Sequence, residues 1–285
     1  MRSEGAGDRI LRCSAFILNL SRPLIMGVIN VTPDSFSDGG KFISANAAID
    51  HAHQLIEEGA DILDVGGEST RPGAEPVGVD EELRRVLPIV EALRDKNIPI
   101  SIDTMKPEVM KTAIEAGASM VNDVNALRAD GALEICASST VGVCLMHMQG
   151  APRTMQLEPT YVDVTAEVKR FLVDRAKACE QAGISTDRIV IDPGFGFGKN
   201  REHNLTLLRR LQEFRETGYA LLAGLSRKSV LGKITGQEVV SRVPASVAAA
   251  LIAVQNGAQI VRVHDVRATK DALAILQAVN QTWKL

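Results

Sequence analysis

Three residues in this 285-residue chain could bind the edge of a nitrogen heterocycle. Asp103, Asn122 and Asp192 lie at or next to the ends of short apolar runs, and they offer carboxylate and amide groups. Such groups suit a ring edge that is rich in N–H donors and carbonyl acceptors. One Asp at the end of a strand is usually a cap or a turn former, so this prediction depends on the three residues sharing one cavity.

A second set of residues could hold a diphosphate. Lys228, Arg262 and His264 offer hydrogen-bond donors, and lysine and arginine suit phosphate oxygens. A helix that opens at Lys228 and Ser229 would add free backbone N–H groups. Asn30 could reach a metal, and Mg²⁺ would then take its other ligands from the phosphates and from water. A Schiff base at Lys228 is an alternative.

No covalent or nucleotide-binding motif stands out in the sequence. Residues Gly194–Lys199 match neither G-x-G-x-x-G nor the P-loop pattern, so we expect a flexible turn with Phe197 as an apolar wall. The order typical of a Ser–His–Asp triad is absent. The 4 cysteines have no C-x-x-C spacing and the 5 histidines are scattered, which favours reduced, buried thiols and disfavours a zinc site.

Eight apolar runs, separated by amphipathic segments, predict the elements that position these residues. Most runs are continuous rather than alternating, as expected for parallel strands buried on both faces. The runs are Leu24–Ile29, Ile62–Val65, Ile98–Ile102, Met120–Val124, Val141–Met146, Ile189–Ile191, Ala220–Leu225 and Ile260–Val263. The helical segments are Ala45–Glu58, Glu82–Lys96, Glu108–Ala116, Ala129–Ser138, Val162–Ala182, Glu202–Thr217, Ala245–Gln255 and Ala268–Thr282.

This alternation predicts an α/β fold, a single-domain (β/α)8 TIM barrel with its site at the carboxyl ends of the strands. A doubly wound open sheet is the alternative, since alternation alone does not prove closure. We expect residues 1–20 to form an N-terminal extension, with Cys13–Leu20 as a hairpin or plug, and residues 21–285 to form the barrel.

Composition excludes several classes of partner. Aromatic residues make up only 4% of the chain, so a stacking platform for single-stranded nucleic acid is not expected. The net charge is −3, which offers no field that would attract nucleic acid or an anionic membrane. No run approaches the ~18 apolar residues of a membrane span. We therefore expect a cytoplasmic protein whose partners are small molecules, with no nucleic acid and no membrane.

Several motifs, in order along the chain, identify a family. From about Leu24 to the C-terminus the sequence resembles the dihydropteroate synthases, with no departure at a position that the family uses. The matching segments are Asn30–Gly40, Asp64–Gly73, Ser101–Thr104, Val121–Asp123, Leu145–Met148, Ile191–Lys199, Ser226–Ser229 and Arg262–Val266. The family fold is a (β/α)8 barrel, in agreement with the interpretation above.

The resemblance implies a reaction that joins 6-hydroxymethyl-7,8-dihydropterin diphosphate to 4-aminobenzoate, with Mg²⁺, in a homodimer. Catalysis is assigned to Asp103, Asp192 and Lys228. The pterin set is Asp103, Asn122, Asp192 and Lys228, with Met146 against the ring. The diphosphate set is Asn30, Arg262 and His264, with Asn30 also the metal ligand. The aminobenzoate set is Thr70, Arg71, Pro72, Phe197 and Ser229, and Asp34–Phe36 with Thr70–Pro72 lie on two closing loops.

Two other functions remain open at this point. A pterin-dependent methyltransferase shares the barrel and the Asp/Asn cluster, but it has no evident use for the Ser226–Ser229 and Arg262–Asp265 segments. A non-catalytic, synthase-like protein that binds a pterin phosphate is the other alternative. The loss of the loop residues or of the diphosphate ligands would indicate that function. This sequence retains both the loop residues and the diphosphate ligands.

Overall fold

Eight parallel strands close into a barrel surrounded by helices. The computed structural model describes residues 9–31, 41–69, 74–150, 155 and 158–282, with side chains left out at 41–44 and 281–282. The barrel strands are β3 (Leu24–Asn30), β4 (Ile62–Gly66), β5 (Ile100–Asp103), β6 (Met120–Asp123), β7 (Gly142–Met146), β8 (Ile189–Asp192), β9 (Ala220–Ala223) and β10 (Ile260–Val263). Since β10 pairs with β3 in parallel, the barrel is closed. The predicted (β/α)8 fold is confirmed.

The helices follow the predicted order along the chain. They are α1 (Lys41–Glu58), α2 (Val79–Leu93), α3 (Pro107–Ala116), α4 (Ala132–Ala137), α5 (Val164–Gln181), α6 (Arg201–Arg209), α7 (Gln212–Arg215), α8 (Ser229–Thr235), α9 (Val243–Gln255) and α10 (Val266–Thr282). None of the helices in the described ranges is both long and apolar enough to cross a membrane.

The strands read as continuous apolar runs because both of their faces are buried. Alternate side chains point to opposite faces of a strand. One set, which includes Ile29, Ile102 and Ile191, packs between the barrel and its helices. The other set, which includes Met26 and Cys144, fills the amino-terminal half of the barrel interior. This filling leaves the carboxyl ends of the strands as the place for a cavity.

A hairpin closes the amino-terminal end of the barrel. Its strands are β1 (Ile10–Cys13) and β2 (Phe16–Asn19). Leu11 and Cys13 are buried in the same cluster as the inner barrel residues. A Cβ atom at Gly142 in β7 would lie 2.8 Å from the Cys13 sulfur, so the hairpin approaches the barrel backbone closely. The division into residues 1–20 and 21–285 stays a prediction.

The helix predicted over Glu202–Thr217 is wrong in one respect, because the chain forms two helices there. Helix α6 ends before Arg210, whose φ and ψ are −100° and 18°. The Arg210 guanidinium is hydrogen-bonded to Glu213 (2.6 Å) and to Asp163 at the start of α5 (3.0 Å). These contacts join separate elements, so a local apolar period does not reveal them. All four cysteines are buried and unbonded, as predicted.

The hairpin provides a test of how much the closed end stabilises the barrel. Leu11 is fully buried, so Leu11→Ala should lower the free energy of unfolding in urea by about 2–5 kcal/mol. The matched control is Ile17→Ala on the same hairpin, where the side chain is largely exposed and the change should stay within about 0.5 kcal/mol. Equal losses in the two variants would contradict the packing described above.

Candidate functional site

The carboxyl ends of the strands bring most of the predicted residues to one end of the barrel, and we call the space that they face the cavity. For each of them, the preceding residue packs in the core between the barrel and the helices. Alternation along the strand therefore turns the predicted residues toward the barrel interior. They are Asn30 on β3, Asp103 on β5, Asn122 on β6, Met146 on β7, Asp192 on β8 and Arg262 on β10.

A hydrogen-bonded ion network crosses this end of the barrel. Arg262 Nε donates to Asp64 Oδ2 at 2.6 Å, and its Nη2 donates to Asp103 Oδ2 at 2.7 Å. Asn122 Nδ2 donates to the same Asp64 oxygen at 3.1 Å. The Asn122 amide is therefore oriented with its NH₂ group toward Asp64. We name this set, Asp64, Asp103, Asn122 and Arg262, the central network.

Burial and neighbouring charges control ionisation in the central network. Burial raises the pKa of Asp103 to about 7, with the Arg262 cation opposing the shift and the Asp64 carboxylate adding to it. Burial lowers the pKa of Arg262, but the carboxylates of Asp64 and Asp103 outweigh it, and the net shift is upward. Arg262 is therefore charged at neutral pH, whereas Asp103 lies near its titration point.

A second pair of opposite charges lies beside the central network. Burial raises the pKa of Asp192, and the Lys228 cation acts against this shift. Burial also lowers the pKa of Lys228 to about 8, with Asp192 opposing. Asp192 Oδ1 accepts the Gly194 N–H at 2.8 Å. The cavity therefore combines acceptor carboxylates with a lysine that titrates close to neutral pH.

The glycine-rich segment after β8 forms a hydrogen-bonded turn, and this turn places an aromatic ring beside the cavity. The Phe197 N–H donates to the Gly194 carbonyl at 3.1 Å. Gly194 has φ +69°, and a Cβ atom there would lie 2.0 Å from the His147 carbonyl oxygen. Phe197 packs against the apolar cluster that contains Met146, and Lys228 Nζ lies 4.7 Å from its ring centroid. Phe197 therefore packs among apolar side chains, and the expectation of a flexible turn is wrong, because hydrogen bonds fix this segment.

Lys228 also contacts the backbone of this turn. Its Nζ donates to the Phe195 carbonyl. The helix predicted to open at this point is α8, with Lys228 as its N-cap and Ser229 as its exposed first residue. Lys228 therefore links the start of α8 to the turn that carries Phe197.

His264 follows β10, Asn30 ends β3, and the remaining predicted residues lie outside the described ranges. His264 Nδ1 lies 3.0 Å from Ser226 Oγ, so the ends of β9 and β10 are joined. Asn30 ends β3 and pairs in register with Gly66. Thr70 and Arg71 lie outside the described residues, as do Pro72 and Asp34–Phe36.

Sequence reasoning missed the importance of Asp64. It belongs to a matching segment, but no role was assigned to it. Asp64 is 0% exposed and accepts from both Arg262 and Asn122. Among the described residues its Oδ1 has no hydrogen-bond partner. The available signal was position: Asp64 lies two residues before the end of β4, so it faces inward together with Gly66.

A buried ion cluster was also missed. Lys106 Nζ donates to Glu68 Oε2 at 2.6 Å and to the fully buried Glu82 at 2.5 Å. The other Glu68 oxygen accepts the Val77 N–H at 3.0 Å. Glu68 thus connects the backbone at Val77 to Lys106 at the start of α3.

Comparison with known proteins identifies the family. A family model described as "Pterin binding enzyme" matches residues 26–264. The dihydropteroate synthase of Escherichia coli strain K12 is 51% identical over 262 residues, covering 92% of this chain and 93% of the relative. The chain belongs to the dihydropteroate synthase family. The resemblance found in the sequence is therefore confirmed, and with it the class of enzyme, a transferase.

Solved dihydropteroate synthases share the fold along almost the whole chain. The Xanthomonas albilineans synthase with 4-aminobenzoic acid is 54% identical with a TM-score of 0.91, covering 96% of this chain and 99% of that chain. The same enzyme in complex with 7,8-dihydropteroate is 52% identical with a TM-score of 0.87, covering 95% and 98%. The roles of individual site residues in this dihydropteroate synthase family member stay predictions.

The raised pKa of Asp103 gives the stability a definite dependence on pH. The folded protein holds a proton up to about pH 7 that the unfolded chain, in which this carboxyl has its ordinary pKa of 3.8, has lost. The free energy of unfolding should therefore fall as pH rises from 5 to 8. Asp103→Asn should remove this component, which urea unfolding at several pH values would measure. Parallel curves for the two proteins would contradict the shift.

Proposed function

We propose that the chain joins 6-hydroxymethyl-7,8-dihydropterin diphosphate to 4-aminobenzoate, giving 7,8-dihydropteroate and diphosphate. The observation that carries this proposal is the central network, with Asp192 and Lys228 beside it, in a member of the dihydropteroate synthase family. Solved relatives that contain 4-aminobenzoic acid and 7,8-dihydropteroate support the substrate classes.

The inward carboxylates suit the donor-rich edge of a pterin. Asp103 and Asp192 would accept hydrogen bonds from ring N–H and amino groups, and Asn122 would add one carbonyl acceptor. Met146, which is 4% exposed at the end of β7, would pack against the ring face. Lys228 would donate to a ring acceptor. In this arrangement the pterin lies on the central network.

The bond between the pterin methylene carbon and the diphosphate oxygen would break first, in a dissociative substitution. Diphosphate leaves with the electron pair, and the methylene cation is delocalised into the ring. The fixed carboxylates of Asp103 and Asp192 would stabilise this positive charge electrostatically. The aminobenzoate nitrogen attacks the carbon and then loses its proton to water. Because an arylamine is nucleophilic when uncharged, the reaction needs no catalytic triad.

Hydrogen-bond donors at the end of β10 would hold the leaving group. We assign Arg262 and His264 to the diphosphate, by resemblance to the family. Arg262 already bonds two carboxylates through Nε and Nη2, so it would contact the diphosphate while it remains part of the central network. On the aminobenzoate side we assign Phe197, Ser229, Thr70 and Arg71.

Asn30 fits a site for Mg²⁺ that the substrate completes. No group of three or more His, Cys, Asp or Glu in the described ranges could hold a metal ion. One amide at the end of β3 suits an ion that takes most of its ligands from diphosphate oxygens and water. When bound, Mg²⁺ would neutralise charge that develops on the leaving group.

We also propose that two copies of the chain associate through an apolar surface on α8, α9 and α10. Ile275 and Val279 on α10 are 68% and 52% exposed, and Ile252 on α9 is 44% exposed. Val240, in the short 3-10 helix between α8 and α9, is 80% exposed. These elements pack on one another, and exposed aliphatic side chains on neighbouring elements are typical of an interface.

A cytoplasmic location stays a prediction.

Diphosphate release tests the reaction. With the pterin diphosphate present, release should depend on 4-aminobenzoate. Asp103→Asn should lower turnover by roughly 10²-fold or more because one stabilising carboxylate is lost. The control Asp174→Asn, at an exposed position on α5, should leave turnover unchanged. Methyl transfer to a corrinoid protein, or pterin diphosphate binding without release, would overturn the proposal in favour of one of the two alternatives.

Sedimentation tests the association. Ile275→Glu should convert a dimer to a monomer, because it buries a carboxylate in the apolar surface. Ile17→Glu, on the hairpin at the amino-terminal end of the barrel and outside this surface, should leave the dimer intact. A monomeric unaltered chain at micromolar concentration would contradict the proposal.

A further inference from the structure

The side chain of Lys199 is buried behind the glycine-rich turn and ends among three partners. It is 2% exposed. Its Nζ lies 2.9 Å from the Phe197 carbonyl oxygen, 3.2 Å from the His147 carbonyl oxygen and 2.9 Å from His147 Nδ1. Lys199 therefore connects the turn after β8 to the residue that follows β7.

Counting donors and acceptors indicates how this buried lysine is satisfied. The two carbonyl oxygens can only accept, whereas a ring nitrogen of histidine donates or accepts according to its tautomer. Burial lowers the pKa of Lys199 well below its ordinary value, with Asp192 opposing and Lys228 adding to the shift. Burial lowers the pKa of His147 to about 3. Either form of the amine is satisfied here: a protonated amine donates to both carbonyls and to an unprotonated Nδ1, and a neutral amine donates to both carbonyls and accepts an Nδ1–H.

The segment that Lys199 anchors carries Phe197. Phe197 contacts the Met146 cluster and the Lys228 amine. Other bonds to this turn come from α6 and from the segment before α5: Asn204 Oδ1 accepts the Gly196 N–H at 2.7 Å, and Tyr161 OH donates to the Gly198 carbonyl at 2.8 Å. Lys199 differs from these because it bonds the carbonyl of Phe197 itself.

We propose that Lys199 is a positioning residue that holds the Phe197 ring at the aminobenzoate side of the cavity by fastening the turn to His147. This inference rests on the proposed function, in which Phe197 faces aminobenzoate. Lys199 is not a catalytic residue in this scheme, because its amine is enclosed by the protein's own carbonyl and imidazole groups.

Steady-state kinetics of Lys199→Met test the proposal. The methionine side chain fills a similar volume but makes no hydrogen bonds, so the Phe197 carbonyl loses its bond to Nζ. The KM for 4-aminobenzoate should rise roughly 10-fold or more, while the KM for the pterin diphosphate stays within roughly twofold. Lys177→Met, at an exposed position on α5, is the matched control and should leave both values unchanged.

A second measurement follows the turn without any reaction. Hydrogen exchange at the Phe197 amide, which donates to the Gly194 carbonyl, should be faster in Lys199→Met than in the control. If the methionine variant does not fold, Lys199→Gln replaces it. That side chain keeps two N–H donors and one acceptor at a shorter reach, and it should give an intermediate KM.

The outcomes separate the inference from the function on which it rests. An unaltered chain without aminobenzoate-dependent diphosphate release overturns the proposed function. An active unaltered chain, with a folded Lys199 variant whose aminobenzoate KM and Phe197 exchange are both unchanged, overturns the positioning role alone. A lower melting temperature with unchanged kinetics also overturns it, because it indicates a purely structural lysine.

Discussion

The pairing of Arg262 with Asp64 and Asp103 is the constraint on which the site depends. Each of these charges is costly to bury alone, and removing one partner of such a group leaves an uncompensated charge. Arg262 and Asp64 are 198 residues apart in the sequence, yet only β3 lies between their strands. Barrel closure therefore brings them together, and the same contacts orient Asn122. Fold and site are coupled through this one network.

Local patterns predicted the elements well because burial on both strand faces leaves a local signature. Strands such as Ile260–Val263 were predicted with their observed bounds, and Asp103, Asn122 and Asp192 were placed correctly at the strand ends. The break at Arg210 was missed because Glu202–Thr217 contains no glycine or proline that would mark the end of a helix. The role of Asp64 as an acceptor for two side chains was also missed. Its partners are on other strands, and only the closed barrel brings them within reach.

The structure buries polar groups in two different ways around one cavity. The floor contains charges that are paired, in the central network. The wall behind Phe197 contains Lys199 and His147, which are satisfied by each other and by two backbone carbonyls, and burial lowers the pKa of both. The first arrangement leaves carboxylate oxygens near the reaction centre, whereas the second uses its polar atoms to fasten the turn that carries Phe197. The slightly acidic net charge of the chain, −3, reveals neither arrangement.

The hairpin β1–β2 lies at the end of the barrel opposite to the cavity. It packs on the inner residues of the amino-terminal half, and none of the residues assigned to the reaction belongs to it. Substitutions that restore stability can therefore accumulate in the hairpin while those that alter ligand preference occur at the other end. Such spatial separation makes a protein more evolvable, since a change that weakens the fold at the cavity can be compensated where no ligand is touched.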